Sequence, residues 1–574
     1  MGIGSILGFG AAALPVQAQV NVPSPPTREE VDRPVPRAEE RGPRLEVEGD
    51  IERSPCPLRD PSYAGVRLTL NQVTFNNLKG ATADEMRAAY APYLGTEQQV
   101  GVLCDIRDAA ATMLRRKGYL AAVQVPTQRI ENGNVQLEVL YAKITAIRVR
   151  GDAGRGEQLV AKYLERLTED EVFNQNNAER YLLLARDLPG YDVRLTLVPA
   201  GTGPGELVGD VAVRRTPYEV DFNVQNLASD DAGHFGGQLR AQFYGLTGMG
   251  DRTTLAAYST LDFQEQQVVQ IGHEMRLGSE GLRIGGRFTY AWTKPDIGNF
   301  GTTSIKADTL LASLEASYPL LRSQAASVWI SGGLELVNQD VDFIGPLSRD
   351  RLRIGYVRVL GEAVDLDHGA RPRWRMNGTI EFRQGLDILG ASDPCNLTCG
   401  LTGTPTSRPD GDPTSSVLRA AGEFEVALGS KFSLVARPRA QIAFGPVLSF
   451  EEFSGGNYTV GRGFDPGTIV GDDGVGISLE LRGPRIRPFE NTEFAFQPFV
   501  FFDNGWAFDD TRAGAADPQR LTSLGGGFRS RFQDRFQLDV TLAVPTNRAG
   551  FLASTPDPRL LFTFTTLLLP WGDR

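Results

Sequence analysis

The chain has 574 residues, 41% of them hydrophobic, and a formal charge of −11, which is too long for one ordinary core and points to at least two domains. It holds no run of about 18 consecutive apolar residues, so a membrane-spanning helix is excluded, and no lysine- or arginine-rich block offers a nucleic acid a footprint. A β-barrel stays open, because strands that alternate lipid-facing and lumen-facing residues escape hydropathy averages, and 64 glycines with 30 phenylalanines suit one.

Residues 1–18 read as an export signal: Ile3–Ala13 is an apolar run, and Val16-Gln17-Ala18 supplies small residues for cleavage after Ala18. Residues 19–61 carry Pro23, Pro25, Pro26, Pro34, Pro36 and Pro43 among charges. Such a stretch cannot build a core and is predicted to be an extended periplasmic linker. Thr27–Asp32 is the place where a helical turn fits, with Thr27 capping and Glu30 at the capping-box position.

Two modules of one pattern follow. In residues 62–143 the spacing predicts a strand over Val66–Phe75, helices over Thr82–Tyr90 and Val102–Lys117, and strands over Leu120–Gln128 and Val135–Leu140 joined by Asn132-Gly133. In residues 144–216 the order recurs as Ile144–Arg150, Glu157–Leu167, Asn177–Asp187, Tyr191–Val198 and Leu207–Arg214. Each β-α-α-β-β unit is long enough for a small α+β domain.

From Pro217 to the end period two takes over. Val220, Phe222 and Val224 alternate with Glu219, Asp221, Asn223 and Gln225; Trp374, Met376, Ile380 and Phe382 oppose Arg373, Arg375, Glu381 and Arg383. Phe536, Leu538, Val540 and Leu542 form another such face. About sixteen antiparallel segments of roughly 9–12 residues are predicted, the span of a tilted membrane strand. Short links such as Gln533-Asp534-Arg535 alternate with long ones, Asp387–Ser416 and a loop over 444–474 among them. That is the periplasmic-turn and extracellular-loop pattern of an outer-membrane barrel. Residues 217–574 are thus predicted to be a transmembrane β-barrel in contact with outer-membrane lipid.

The four cysteines fall as Cys56 with Cys104 and Cys395 with Cys399, two pairs expected to be disulfides in an oxidising compartment. No histidine accompanies either pair, and His234, His273 and His368 lie far apart, so no metal site is expected. No P-loop, G-x-S-x-G or H-E-x-x-H motif is present, so neither an enzyme nor a cofactor is expected.

Several motifs carry a resemblance. Val73-x-Phe75, Tyr93-Leu94-Gly95, Gly118-Tyr119, Pro126-x-Gln128 and Asn132-Gly133 resemble the first POTRA domain of two-partner secretion transporters in the BamA-like superfamily. The helix ending Glu179-Arg180-Tyr181-Leu182-Leu183-Leu184-Ala185-Arg186-Asp187-Leu188-Pro189-Gly190 looks like the signature of their second POTRA domain. Gly461-Arg462-Gly463-Phe464 is similar to the superfamily's long-loop tip, and Phe501-Phe502-Asp503-Asn504-Gly505 to its F-x-D-x-G strand motif. The resemblance implies two periplasmic POTRA domains before the barrel, and export of an unfolded haemolysin- or adhesin-like exoprotein. A BamA- or TamA-like insertase is the alternative. It also implies insertion by the barrel assembly machinery, and an Arg462 that reaches into the lumen toward Asp503. Members usually carry an N-terminal plug helix, which the prolines of 19–61 oppose here.

Overall fold

The structure, a computed structural model, describes residues 26–32, 45–47, 56–203, 205–229, 231–295, 305–366, 372–395, 399, 403–489, 493–509 and 518–570. The export signal expected over 1–18 lies outside them, as does His368.

In the first module, Asn134–Tyr141 is the central strand, parallel to Gln72–Asn76 and antiparallel to Ala121–Gln124. Helix Val102–Arg116 lays Leu103, Ile106, Ala110 and Leu114 on this sheet at helical spacing, all buried. The strand expected over Val66–Phe75 is split. Arg67–Thr69 pairs instead with Glu97–Gln99, because Asn71 is drawn toward the tight turn at Asn132-Gly133: its Nδ2 donates to the Asn132 carbonyl at 2.9 Å and its amide to that of Gly133 at 2.9 Å. Cys56 is bonded to the buried Cys104 of this helix, with Cα atoms 6.0 Å apart.

The second module has helices Glu157–Glu169 and Gln175–Arg186 over strands Lys143–Gly151, Tyr191–Pro199 and Glu206–Arg215. A fourth strand, Leu45–Val47, comes from the proline-rich segment and pairs in parallel with Leu195–Leu197. The expected linker is therefore in part a sheet strand. At the junction of the modules, Lys79 hydrogen-bonds Glu171 and holds its carboxyl below the ordinary value.

Sixteen antiparallel strands then close on themselves, from Tyr218–Gln225 to Arg559–Leu569. An even count brings the last strand's end back to the side where the two α+β modules enter. Leu239, Ile271, Leu314, Ile380, Val500 and Leu560 stand exposed around the outside, an apolar belt that only lipid can cover. Their neighbours Arg240, Gln270, Glu315, Glu381 and Phe501 alternate inward.

Strand lengths depart from the predicted range. Lys306–Arg322 and Ala326–Asp342 have 17 residues each, and Pro346–Val364 has 19. A tilted strand crosses hydrocarbon in about 9–11 residues, so these run on beyond it as a ribbon, and the link 343–345 is a tight turn rather than a long loop. Between Trp374–Gly385 and Ser416–Leu428 the loop is long, and it holds the second disulfide, Cys395–Cys399, with Cα atoms 5.5 Å apart.

The strand Phe536–Pro545 offers a direct test of register. Asp539 faces the lumen, 3.9 Å from Arg529, which puts Val540 on the lipid side. Val540→Arg should destabilise the folded barrel by about 2–4 kcal/mol near the midplane, and Asp539→Arg by far less. Denaturant refolding followed by heat-modifiable migration measures both; equal losses would break the register.

Candidate functional site

The connection between strands Phe432–Ala443 and Asp473–Arg482 does not project freely. It forms a small hairpin, Phe453–Gly455 with Ile469–Gly471, and folds back into the barrel. Phe453, Val460, Phe464 and Ile469 of the loop pack on Ala507, Leu521 and Ala549 of the barrel region. At the tip Gly461 has φ +111°, and a Cβ there would stand 2.5 Å from Leu521 Cδ1. A Cβ on Gly463 would stand 2.9 Å from Pro545. Glycine is required at both positions by close approach to the wall.

These contacts aim Arg462 at the wall. Its Nε and Nη2 donate to Asp503 Oδ2 and Oδ1 at 3.0 and 2.8 Å, and its backbone N–H donates to Oδ2 at 3.0 Å. Nη1 donates to Glu480 at 3.0 Å and Nη2 to Ser478 Oγ at 2.8 Å. The guanidinium lies 3.6 Å from the centre of the Phe501 ring. Gly505, on the same strand, leaves room for Val460, which would stand 3.1 Å from a Cβ there. Arg462 and Asp503 are thus brought together, but within a cluster. Glu480 is fully buried and also accepts from Arg529 at 2.7 and 2.9 Å and from Arg482 at 2.8 Å. The glycines before Arg529 are part of the same build: a Cβ on Gly525 would meet Phe501 and the Leu542 carbonyl.

The proline-rich segment contributes a second lumen element. Arg28–Val31 is one helical turn, with Glu30 accepting from the Thr27 amide at 2.8 Å. It touches strands on facing walls. Arg28 bonds Glu335 at 2.7 Å and Glu451 of the long loop, Glu29 bonds Arg439 at 2.7 Å, and Asp32 takes two bonds from Arg287 at 2.7 and 2.8 Å. Val31 is buried among Tyr258, Leu352 and Phe450. Among the described residues of this segment, a single turn occupies the lumen. The prolines do not prevent it, because the turn falls between Pro26 and Pro34.

The helix ending in Asp187-Leu188-Pro189-Gly190 docks the arm on the barrel. Leu182, Leu183, Leu184 and Leu188 are buried, and Gly190 turns the chain at φ +77° beside the half-buried Pro189. The charged residues leave the module. Asp187 takes two bonds from Arg322 at 2.8 and 2.7 Å, Arg180 donates to the Pro319 carbonyl at 3.1 Å, and Glu179 accepts from the Gln324 amide. All three meet the turn between the sixth and seventh strands.

Sequence reasoning missed Glu480, Ser478, Arg529, Arg28, Glu335 and Glu451. Glu480 and Ser478 alternate with the apolar Val475, Ile477, Leu479 and Leu481, so their lumen face was readable; their partners across the barrel were not.

With this geometry in hand, comparison with solved structures places the fold. CdiB from Escherichia coli superposes with a TM-score of 0.72 at 17% identity, over 90% of this chain and 95% of that chain. CdiB from Acinetobacter baumannii gives 0.65 at 17% identity, over 92% and 94%. BamA from Haemophilus ducreyi lacking POTRA domains 1–3 gives 0.50 at 14% identity, over 88% and 100%. A comparison with curated proteins finds none that matches. These structural neighbours show the fold, a closed β-barrel preceded by α+β modules; the family models add that it is an outer-membrane β-barrel transporter with periplasmic POTRA domains. The family model "Haemolysin secretion/activation protein ShlB/FhaC/HecB" matches residues 210–530, and the ShlB-type POTRA model matches residues 68–141. The chain belongs to this family, the two-partner secretion transporters, which are secretion channels and not enzymes.

Two predictions follow from the contacts. Arg462→Ala strands the buried Asp503, whereas Asp503→Ala leaves Arg462 on Glu480; the first should expose the loop to protease several-fold faster than the second. Limited proteolysis of the inserted protein, read by mass spectrometry for cuts in 444–474, measures this, and equal cutting rates would count against the shared-carboxylate arrangement. Asp187→Ala or Arg322→Ala should widen the distribution of distances between spin labels on the second α+β module and the barrel, and the double variant should be no worse than either single one.

Proposed function

We propose that this chain recognises a partner exoprotein through its periplasmic POTRA domains and passes it, unfolded, through the barrel lumen to the cell exterior. The observation that carries the reading is the lumen itself. It is lined by charge and filled by a loop and a helical turn that are held through side-chain contacts, so both can be displaced without breaking a barrel strand. A conduit that must close and reopen needs fillings of that kind.

Recognition has a physical basis in the arm. Gln72–Asn76 and Ala121–Gln124 are the two edge strands of the first POTRA sheet, and an edge offers unpaired N–H and C=O groups to any extended chain. Main-chain pairing of this sort tolerates variation in sequence, while pockets between side chains set the preference. Folding of the cargo outside then supplies the drive. The barrel assembly machinery and outer-membrane lipid are the other partners in this reading, since the apolar belt must be delivered into the bilayer.

The test is secretion of a candidate haemolysin- or adhesin-like exoprotein co-expressed with this chain. Co-expression should place it in the medium, and removing residues 62–143 should abolish that while leaving a heat-modifiable barrel in the outer membrane. Equal secretion without this chain would overturn the proposal. Loss of other barrel proteins on depletion would instead point to an insertase.

A further inference from the structure

Beyond the Arg462 cluster the lumen holds a second concentration of charge, arranged around Arg28 as a receptor surrounds a ligand. Glu335 on the wall and Glu451 on the loop close on its guanidinium. Each of these glutamates is only 5% exposed. The guanidinium also lies 4.8 Å from the centre of the Phe450 ring. To either side the polarity reverses, with Arg439 holding Glu29 and Arg287 holding Asp32. Within five residues the lumen therefore reads one cation and two anions.

Remove the turn, as any passing chain must, and the balance changes. Among the described residues, Glu335 keeps Arg383 at 2.6 Å, but Arg383 also binds Glu381 at 2.9 Å and Glu451 at 2.8 Å. Arg419 adds a contact to Glu451 at 3.2 Å. Glu381 is also held by Arg358 at 2.5 Å, so Glu335 is the carboxylate left with only the shared Arg383 among the described residues. A poorly solvated carboxylate short of counter-charge draws in the next cation within reach. The chain moving through the lumen is the nearest source.

We propose that Glu335, Glu451 and Phe450 form a binding station for an arginine or lysine side chain of the exported polypeptide, and that Arg28 is its resident placeholder. This rests on the export reading above and adds which side chains the lumen holds. Arginine fits better than lysine, because its planar fork spans two carboxylates while its face lies on an aromatic ring. The flanking Arg287 and Arg439 favour a segment of mixed charge over a purely basic one.

The experiment uses the chain lacking residues 26–32, reconstituted in planar lipid bilayers, with the capped peptide of residues 27–32 as probe. The peptide should lower the conductance saturably. Its Arg28→Ala version should need about tenfold more or higher, the loss of one charged contact, and Arg28→Lys should fall between. Glu335→Gln with Glu451→Gln in the pore should remove the difference between the peptides. Block by the parent and Arg28→Ala peptides at the same concentration, or no block of a barrel whose heat-modifiable migration is intact, overturns the proposal. Should the shortened chain fail to insert, the full chain carrying Arg28→Ala and Asp32→Ala takes its place with the same readouts. Secretion is not read here, so a negative result leaves the export reading standing, and loss of secretion alone leaves this one standing.

Discussion

A strand edge left open in hydrocarbon costs several kcal/mol for each N–H or C=O without a partner, and the pairing of Tyr218–Gln225 with Arg559–Leu569 removes the last such edge. This seam is irregular, with a register shift between Val220 and Asp221, and Asn223 reinforces it by donating to Thr565 Oγ1 at 2.8 Å. Once the sheet is closed, every inward side chain of sixteen strands shares one interior. The polar half of each alternating pattern has nowhere else to go.

That confinement explains why the interior is organised by arginine and glutamate. A charge inside a protein wall is tolerated when opposed and hydrogen-bonded, and arginine can serve two acceptors at once through its fork. Sharing has a second effect. Glu480 serves Arg462, Arg529 and Arg482, and Glu451 serves Arg28, Arg383 and Arg419. Withdrawal of one cation leaves Glu480 or Glu451 with its remaining partners, whereas Glu335, which faces Arg28 and Arg383, loses half of its opposing charge. A filled lumen of this design holds its contents firmly while letting one element leave without collapse of the rest.

The strands, the two α+β modules and the loop tip could be read in the sequence because each leaves a local trace: period two, helical spacing followed by Pro-Gly, glycines flanking an arginine. What could not be read depends on closure. Arg28 and Glu335 are 307 positions apart, and Arg28 and Glu451 are 423 apart, so no spacing rule links them. Leu45–Val47 was hidden for a different reason. Its neighbours are prolines and charges, and a three-residue strand takes its identity from the sheet edge it joins. The long ribbons of Lys306–Val364 exceed the membrane span because strand pairing continues wherever both strands do, in lipid or in water. The charges of the Asp187 signature find their partners on the strand end and turn at 319–324 of the barrel, which no local spacing announces.

The strand Leu45–Val47 also sets how far the lumen turn can go. Thirteen chain steps separate Asp32 from Leu45, and a fully extended chain of that length covers no more than about 45 Å. With Leu45 held on the sheet of the second α+β module, a turn that leaves its seat stays within that radius of it. Tethering of this kind gives a local concentration on the order of millimolar. Reseating is then a first-order event whose rate does not depend on how much transporter or cargo the cell contains. In the export reading proposed above, the channel is reset from within its own chain each time a passage ends.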